Sequence, residues 1–395
     1  MLSQKAMGIS PSSTLAIDAK FKEMKANGED VVGFGAGEPD FDTPQHIKDA
    51  AIKAIIENKT KYTPAAGTIK LRKAAAKKFK EENGLDYDYT NIVVSNGAKH
   101  SLVNAFTAIC NPGDEVIIPA PYWVSYPEMV KLADGVPVVI SAKEDDNFKI
   151  TPEQIRNAVT DKTKAIVINS PSNPTGMIYT KDELLKIAEI AVEKNIYVIS
   201  DEIYEHLIYE GKHVSIASLG DKIKDLTIVI NGVSKTYAMT GWRIGFAAAN
   251  AQIAKIMSNI QSHAASNPNS IAQEAAVAAL EGGMEAVDKM KRHFEKRRNF
   301  MVERINEMNG VSCLNPHGAF YIMMNIKELI GEELYGKTIH DADDFAQLFL
   351  DVAKVAVVPC TGFGAPEYVR WSYATSMDNI VEGLERLKKF LAAKF

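Results

Sequence analysis

Residues 164–204 run KAIVINSPSNPTGMIYTKDELLKIAEIAVEKNIYVISDEIY, and this stretch decides the fold. Two short apolar runs, at 165–168 and 196–199, enclose a segment, 181–194, whose apolar residues recur at helical spacing. Strand, amphipathic helix, strand is the unit of a parallel sheet, because a parallel return needs a long crossover. Neither run alternates apolar with polar residues, so both faces of each strand are expected to be covered. The pattern extends outward through NIVVS (91–95) followed by GAKHSLVNAFTAI (97–109), then EVIIPA (115–120), VPVVIS (136–141) and TIVIN (227–231). The reading is an α/β chain with a mostly parallel sheet, whose ligands sit beyond the carboxyl ends of the strands.

The chain has 395 residues, about two domains by length. Its 45 Lys and Arg against 50 Asp and Glu, net charge -5, give no basic footprint for nucleic acid or an acidic membrane, so neither partner is expected. No apolar run reaches the length of a membrane span, and MLSQKAMGISPSS at the start lacks a signal-peptide core. Cys110, Cys313 and Cys360 are far apart with no C-x-x-C pairing, so neither disulfide nor metal site is expected and a reducing cytoplasm fits. From about residue 284 the pattern changes, and Val287, Met290, Phe294, Met301, Ile305 and Met308 mark the apolar stripe of one long helix. It leads into a second unit containing FYIMMNI, VAVVPC, YVRWSYA and the helix DNIVEGLERLKKFLAA. The first forty or so residues are too short for a core of their own and should pack on that unit or on another subunit.

Each central strand ends in polar residues. NIVVS leads to Gly97, Ala98 and Lys99, KAIVINS to Asn173, NIYVIS to Asp201 and Tyr204, and TIVIN to Ser234 and Lys235. A glycine turn opening a helix at Ala98 presents free N–H groups to an anion; alone it reads as an ordinary turn. Asp201, after an apolar strand, needs a cationic partner or serves as a helix cap. Tyr204 and Trp123 by themselves read as packed aromatics. Lys235 follows a buried strand, where desolvation lowers an amine's pKa and makes it nucleophilic; on its own it equally reads as a loop lysine reaching solvent.

The set matches one cofactor, pyridoxal 5'-phosphate, which has a phosphate, an aldehyde, a ring nitrogen, a phenolic oxygen and a flat face. Gly97, Ala98 and Arg243 suit the phosphate, Lys235 the aldehyde, Asp201 the ring nitrogen, Asn173 and Tyr204 the phenolic oxygen, and Trp123 the ring face. The motifs GAGEPDFDTP, KYTPAAG, SNGAKHSL, PYWVSYP, NSPSNPTG, SDEIYEHL, SKTYAMTGWRIG and VRWSYATS, spread over 35–376, resemble the class I pyridoxal-phosphate aminotransferases of fold-type I.

The resemblance implies a large domain with a seven-stranded, mainly parallel sheet and a small α/β domain formed by both chain ends. The boundaries expected are 1–44 for the N-terminal arm, 45–290 for the large domain and 291–395 for the small one. It also implies a homodimer with shared active sites, in which Tyr62 reaches the neighbouring subunit's phosphate. Gly37 and Arg370 are implied at the substrate's α-carboxylate, Lys235 as the amine that removes the α-proton, and Asp201 as the group that keeps the ring nitrogen protonated. Gly232 departs from the family pattern, since many relatives carry a phosphate-binding serine there.

Between Lys255 and Lys289 there is no Lys or Arg, so the distal-carboxylate arginine of some aspartate aminotransferases has no counterpart. The prokaryotic-type branch uses a lysine near the phosphate loop and an N-terminal Pro-Ser-x-Thr instead. Lys99 and Pro11-Ser12-Ser13-Thr14 match, so Lys99, Ser13 and Thr14 are expected at the substrate, and aspartate with 2-oxoglutarate is the expected pair. Ser10 stands where relatives that accept prephenate carry a basic residue. An aromatic or broad-range aminotransferase and a carbon-sulfur lyase remain the alternatives. A non-enzymatic regulator would need an added DNA-binding module, for which 35 residues leave no room.

Overall fold

The computed structural model describes residues 2–11 and 13–394. Seven strands form the main sheet: β1 (Ile92–Ser95), β2 (Glu115–Ala120), β3 (Val136–Ser141), β4 (Thr163–Asn169), β5 (Tyr197–Asp201), β6 (Thr227–Gly232) and β7 (Gly245–Ala248). Their order is β1-β7-β6-β5-β4-β2-β3, and β7 alone runs against its neighbours. Successive side chains of a strand point to opposite faces, and here both faces are covered. Val116, Ile118, Val167, Ile199 and Ile228 pack with Leu102 and Phe106 on one side. Their sequence neighbours Ile117, Ile166, Ile168 and Val198 pack with Leu184 and Ile187 on the other. The unbroken Val/Ile runs are the consequence.

Local signals set where the crossover helix Lys181–Lys194 begins and ends. Thr180 accepts from the Glu183 N–H while the Glu183 carboxylate accepts from the Thr180 N–H, and Asn195 ends the helix at φ 52°. The strand that the apolar pattern missed is β7, whose four residues are Gly, Phe, Ala and Ala. It sits where glycines permit close approach. A Cβ added to Gly245 would lie 2.2 Å from the Ala98 nitrogen, and one added to Gly232, its partner in β6, would lie 2.9 Å from Gly245 Cα. The end of β6, the start of β7 and the first turn of helix Ala98–Ile109 therefore meet at one point.

Toward the C-terminus a second sheet, antiparallel and four-stranded, runs in the order Val358–Pro359, Tyr368–Ser372, Tyr321–Asn325, Ser312–Cys313. Helix Glu285–Asn306 lays Met290, Phe294, Met301 and Ile305 against its core with Phe320, Phe345, Trp371 and Leu384. The helix is shorter than the stripe suggested. It stops at Asn306, whose amide bonds both backbone groups of Cys313 (2.8 and 3.1 Å), and Met308 packs from the following turn. The early residues join this unit, since Val32–Gly33 pairs parallel with Val355–Ala356 and Phe34 is buried in the same core. No helix among the described residues is long and apolar enough to cross a membrane.

Because Gly245 is closed off by backbone rather than by movable side chains, Gly245→Ala is expected to lower the stability by about 1–3 kcal/mol. Urea unfolding measures this, and an unchanged midpoint would contradict the close approach.

Candidate active site

The carboxyl ends of β4, β5 and β6 open on a cavity of about 390 Å³. Lys235, Asp201, Tyr204, Asn173, Trp123 and Ser234 line it, as do Ala98, Lys99, Arg243, Gly37 and Arg370. These residues come from segments that lie far apart along the chain, and the parallel sheet brings them to one edge.

Asp201 is 3% exposed at the end of β5. Its Oδ2 accepts from the Tyr126 hydroxyl (2.6 Å) and its Oδ1 from the Ile203 N–H (3.3 Å). Burial still outweighs these bonds and pushes the carboxyl up to about 6. A carboxylate so placed accepts a cationic N–H from the cavity side. Lys235 is partly covered, as a side chain opening into a cavity must be, and its ammonium bonds the Gly37 carbonyl (2.5 Å). Burial depresses it to about 8, opposed by Glu38 and reinforced by Arg243 and Arg370. At pH 7 about a tenth of the amine is then neutral, far more than in an ordinary lysine.

Arg370 is 1% exposed, and it donates to Asn173 Oδ1 and to the Gly35 carbonyl, both at 3.0 Å. Its guanidinium lies 4.4 Å from the Tyr321 ring centroid, and its buried Nε has no partner. The guanidinium as a whole lines the cavity, where its planar fork of donors suits a carboxylate. Tyr204 is buried, its phenol raised well above its ordinary range by burial and by Tyr321, whose hydroxyl is 3.0 Å away. It therefore stays protonated and can donate.

Gly97 (φ 88°) caps the helix that opens at Ala98, and a Cβ there would fall 2.3 Å from Arg243 Nη2. Gly97 lets Arg243 pack against the start of the helix, and the part of the cavity between Ala98 and Arg243 is a hollow that suits a phosphate. Arg243 is held over it by the carbonyls of Thr240 (2.7 Å) and Asn96 (3.3 Å). Gly232 has no room for a side chain, so no residue at that position reaches the hollow. The Lys99 ammonium lies 4.8 Å from the Trp123 ring centroid.

Two expected groups stand apart from this gathering. Tyr62 is 91% exposed on the single chain and does not line the cavity. Ser13 and Thr14 begin helix Ser13–Ala26, but their side chains lie outside the described residues. Reading the sequence missed Tyr126, Tyr321 and Asn169. Asn169 donates to the Asp201 carbonyl (3.0 Å) and accepts from the Asn173 N–H (2.8 Å), fixing one relative to the other. Tyr126 lies three residues after Trp123 in the quoted PYWVSYP, so the motif contained it, but nothing local marks its hydroxyl as a partner for Asp201.

Comparison with known proteins shows the family of the chain. The profile of the family described as aminotransferase class I and II matches residues 29–387. An aspartate aminotransferase of Bacillus subtilis is 52% identical over 391 residues, covering 99% of this chain and 98% of that protein. A probable aspartate/prephenate aminotransferase of Aquifex aeolicus is 46% identical over 393 residues, covering 99% and 98%. The crystal structure of the aspartate aminotransferase from Rhizobium meliloti superimposes with a TM-score of 0.96 at 41% identity, covering 100% of this chain and 99% of that one. The Thermus thermophilus aspartate aminotransferase with maleate gives 0.94 at 43%, covering 99% and 100%. The cavity at the strand ends, with its amine, buried carboxylate and guanidinium, thus sits in a chain that belongs to the class I and II aminotransferases.

Proposed function

We propose that the chain is a pyridoxal 5'-phosphate-dependent aspartate aminotransferase, moving the amino group of aspartate to 2-oxoglutarate. The observation that carries the reading is a depressed amine, Lys235, and a buried carboxylate, Asp201, on the wall of one cavity with the Arg370 guanidinium. The hollow at Gly97 fits the phosphate, Arg243 neutralises it, and Trp123 covers the ring face. When bound, the cofactor supplies a carbonyl for the amino group and a protonated ring that takes up the electrons released from Cα. Asp201 holds the proton at the ring nitrogen, Asn173 and Tyr204 hydrogen-bond the phenolic oxygen, and Ser234 contributes beside Lys235. Arg370, with Gly37, orients the α-carboxylate, and the Lys235 amine moves the proton at Cα.

The curated relatives and solved neighbours named for aspartate support the substrate assignment. Lys99 is the cation for the distal carboxylate, with Ser13 and Thr14 beside it. We further propose a cytoplasmic homodimer in which exposed Tyr62 completes the partner's phosphate site. The chain divides into 1–44, 45–290 and 291–395; in support, Val287 packs with the core of the main sheet while Met290 and Phe294 pack with the C-terminal core.

Purified protein is expected to be yellow with cofactor bound, and Lys235→Ala to lose transamination of aspartate by several orders of magnitude. Near-normal turnover in that variant would refute the assignment. Lys99→Met should reduce kcat/KM for aspartate on the order of tenfold to a hundredfold relative to phenylalanine, since only the dicarboxylate loses a charge-assisted bond. Equal losses for both substrates would favour an aromatic or broad-range enzyme.

Asp201 also predicts a pH dependence for the cofactor-free chain. Its carboxyl rises from an ordinary 3.8 to about 6, so the folded state holds this proton more tightly than the unfolded one. That contribution to stability is complete below about pH 4 and is lost as pH rises through 6, a loss on the order of 3 kcal/mol. Asp201→Asn removes the ionisation. Urea unfolding at pH 5 and pH 8 should find the variant gaining on the parent at the higher pH, and an equal difference at both would contradict the buried charge.

A further inference from the structure

The turn after β5 reads Asp201-Glu-Ile-Tyr-Glu205, and its two glutamates, 1% and 7% exposed, are not part of the cavity wall. Glu202 accepts from the hydroxyls of Ser200 (2.8 Å) and Ser215 (2.6 Å) and faces His213 Nε2 (2.9 Å). Glu205 accepts from the amides of Asn83 (2.8 Å) and Asn231 (2.6 Å) and is ion-paired with Lys78, itself 5% exposed. Burial alone would raise the Glu205 carboxyl, but Lys78, His206 and His213 together hold it well below its ordinary value. Glu82, Glu205 and His206, and likewise Glu202, Glu205 and His213, lie close enough to share a metal ion. The Lys78 ammonium already supplies the cation at Glu205, so these groupings need no metal.

Stability does not account for such a cluster, because apolar residues of similar volume usually serve as well as a buried ion pair. Where its bonds lead is more informative. The parallel ladder between β5 and β6 ends at Asp201 opposite Ile230, followed by one backbone bond from the Glu202 N–H to the Ile230 carbonyl (2.9 Å). Past that point the chains diverge, one into Tyr204 and the other into Ser234 and Lys235. Asn231 bridges the divergence, donating from Nδ2 to Glu205 while its Oδ1 accepts from the Gly232 N–H (2.7 Å). Among the described residues no other side-chain hydrogen bond joins segment 202–206 to segment 231–236.

We propose that Glu205 and Asn231 are positioning residues for transamination. Their bond, with Lys78 as buried counter-ion, fixes the turn carrying Asp201 and Tyr204 relative to the turn carrying Lys235. The role rests on the aminotransferase reading, in which the carboxylate and the amine must meet the same bound ring from two different strands. A bond of this kind acts on geometry, so its removal should slow the chemical step while leaving the substrate-binding arginine and lysine in place.

Asn231→Ser tests this, because serine keeps an oxygen for the Gly232 N–H but withdraws from Glu205. In the cofactor-free chain, competitive acetylation read by peptide mass spectrometry gives the Lys235 pKa. Loosening the turn admits water to an amine that burial holds at about 8, so its pKa should rise by at least about half a unit. In the loaded enzyme kcat for aspartate should fall roughly tenfold to a hundredfold with KM within about twofold. An unchanged Lys235 pKa and kcat in Asn231→Ser, with only a lower unfolding temperature, overturn the proposal. Should that variant fail to fold, Asn231→Ala decides by the same two readings: a raised Lys235 pKa with a lowered kcat upholds the bond, and parental values overturn it. A parent chain that binds no pyridoxal phosphate would overturn the aminotransferase reading instead, and the acetylation measurement would still report on the bond.

Discussion

A carboxylate buried at the end of an apolar strand is the constraint around which this site is arranged. Asp201 has two protein donors, the Tyr126 hydroxyl and the Ile203 N–H, and remains pushed up to about 6. The same desolvation depresses Lys235 on another wall of the cavity. Opposite charges in one crevice would ordinarily pair and lock each other in the ionised state. Here the lysine spends its bond on the Gly37 carbonyl and the aspartate on a phenol. Both charged groups are left short of a partner, a carboxylate that wants a cation and an amine ready to act as a base.

The sheet makes that arrangement available. Parallel strands bring their carboxyl ends to one edge, and the register places Asn169 opposite Asp201 and Asp201 opposite Ile230. Side chains on consecutive turns therefore face a common crevice without any loop having to reach across. Antiparallel β7 fits between β1 and β6 because Gly245 and Gly232 let three backbones meet beside Ala98. The same contact brings the helix N-terminus, the start of β7 and the Lys235 turn together, so the anion hollow and the amine are fixed by one packing event.

Reading the residues in order revealed the parts of this that are local. Runs such as EVIIPA and KAIVINS announce covered strands because both faces are apolar, and their ends announce the crevice. β7 escaped because Gly-Phe-Ala-Ala has neither the β-branched residues nor the length of its neighbours. Lys235 and Asp201 gained meaning as members of a set, and Arg370 gained its role from the resemblance of VRWSYATS, since a lone arginine in an apolar strand reveals no direction. Tyr321 lies in FYIMMNI, which the sequence marks only as part of the second unit; its hydroxyl matters once the fold brings it 117 residues back to Tyr204. The Lys78, Glu205 and Asn231 cluster was invisible for the same reason, its members lying on a helix, a turn and a strand end.

The polar groups of this chain fall into two physical classes, and the distinction bears on how the site works. Around Glu202 and Glu205 the buried carboxylates accept from hydroxyls, amides and cations, while His213 Nδ1 at the edge of the cluster has no partner. Such a network is rigid, because moving any member leaves another unsatisfied in a low dielectric. A few residues away, on the cavity side, Asp201 is raised, Lys235 is lowered and Arg370 Nε has no partner. Groups left in that condition gain most from a ligand that supplies the missing charges, so binding adds to folding stability by linkage. The bonded carboxylates behind the cavity tie down the turn that bears Asp201 and Tyr204, so a ligand meets those groups already placed by the fold.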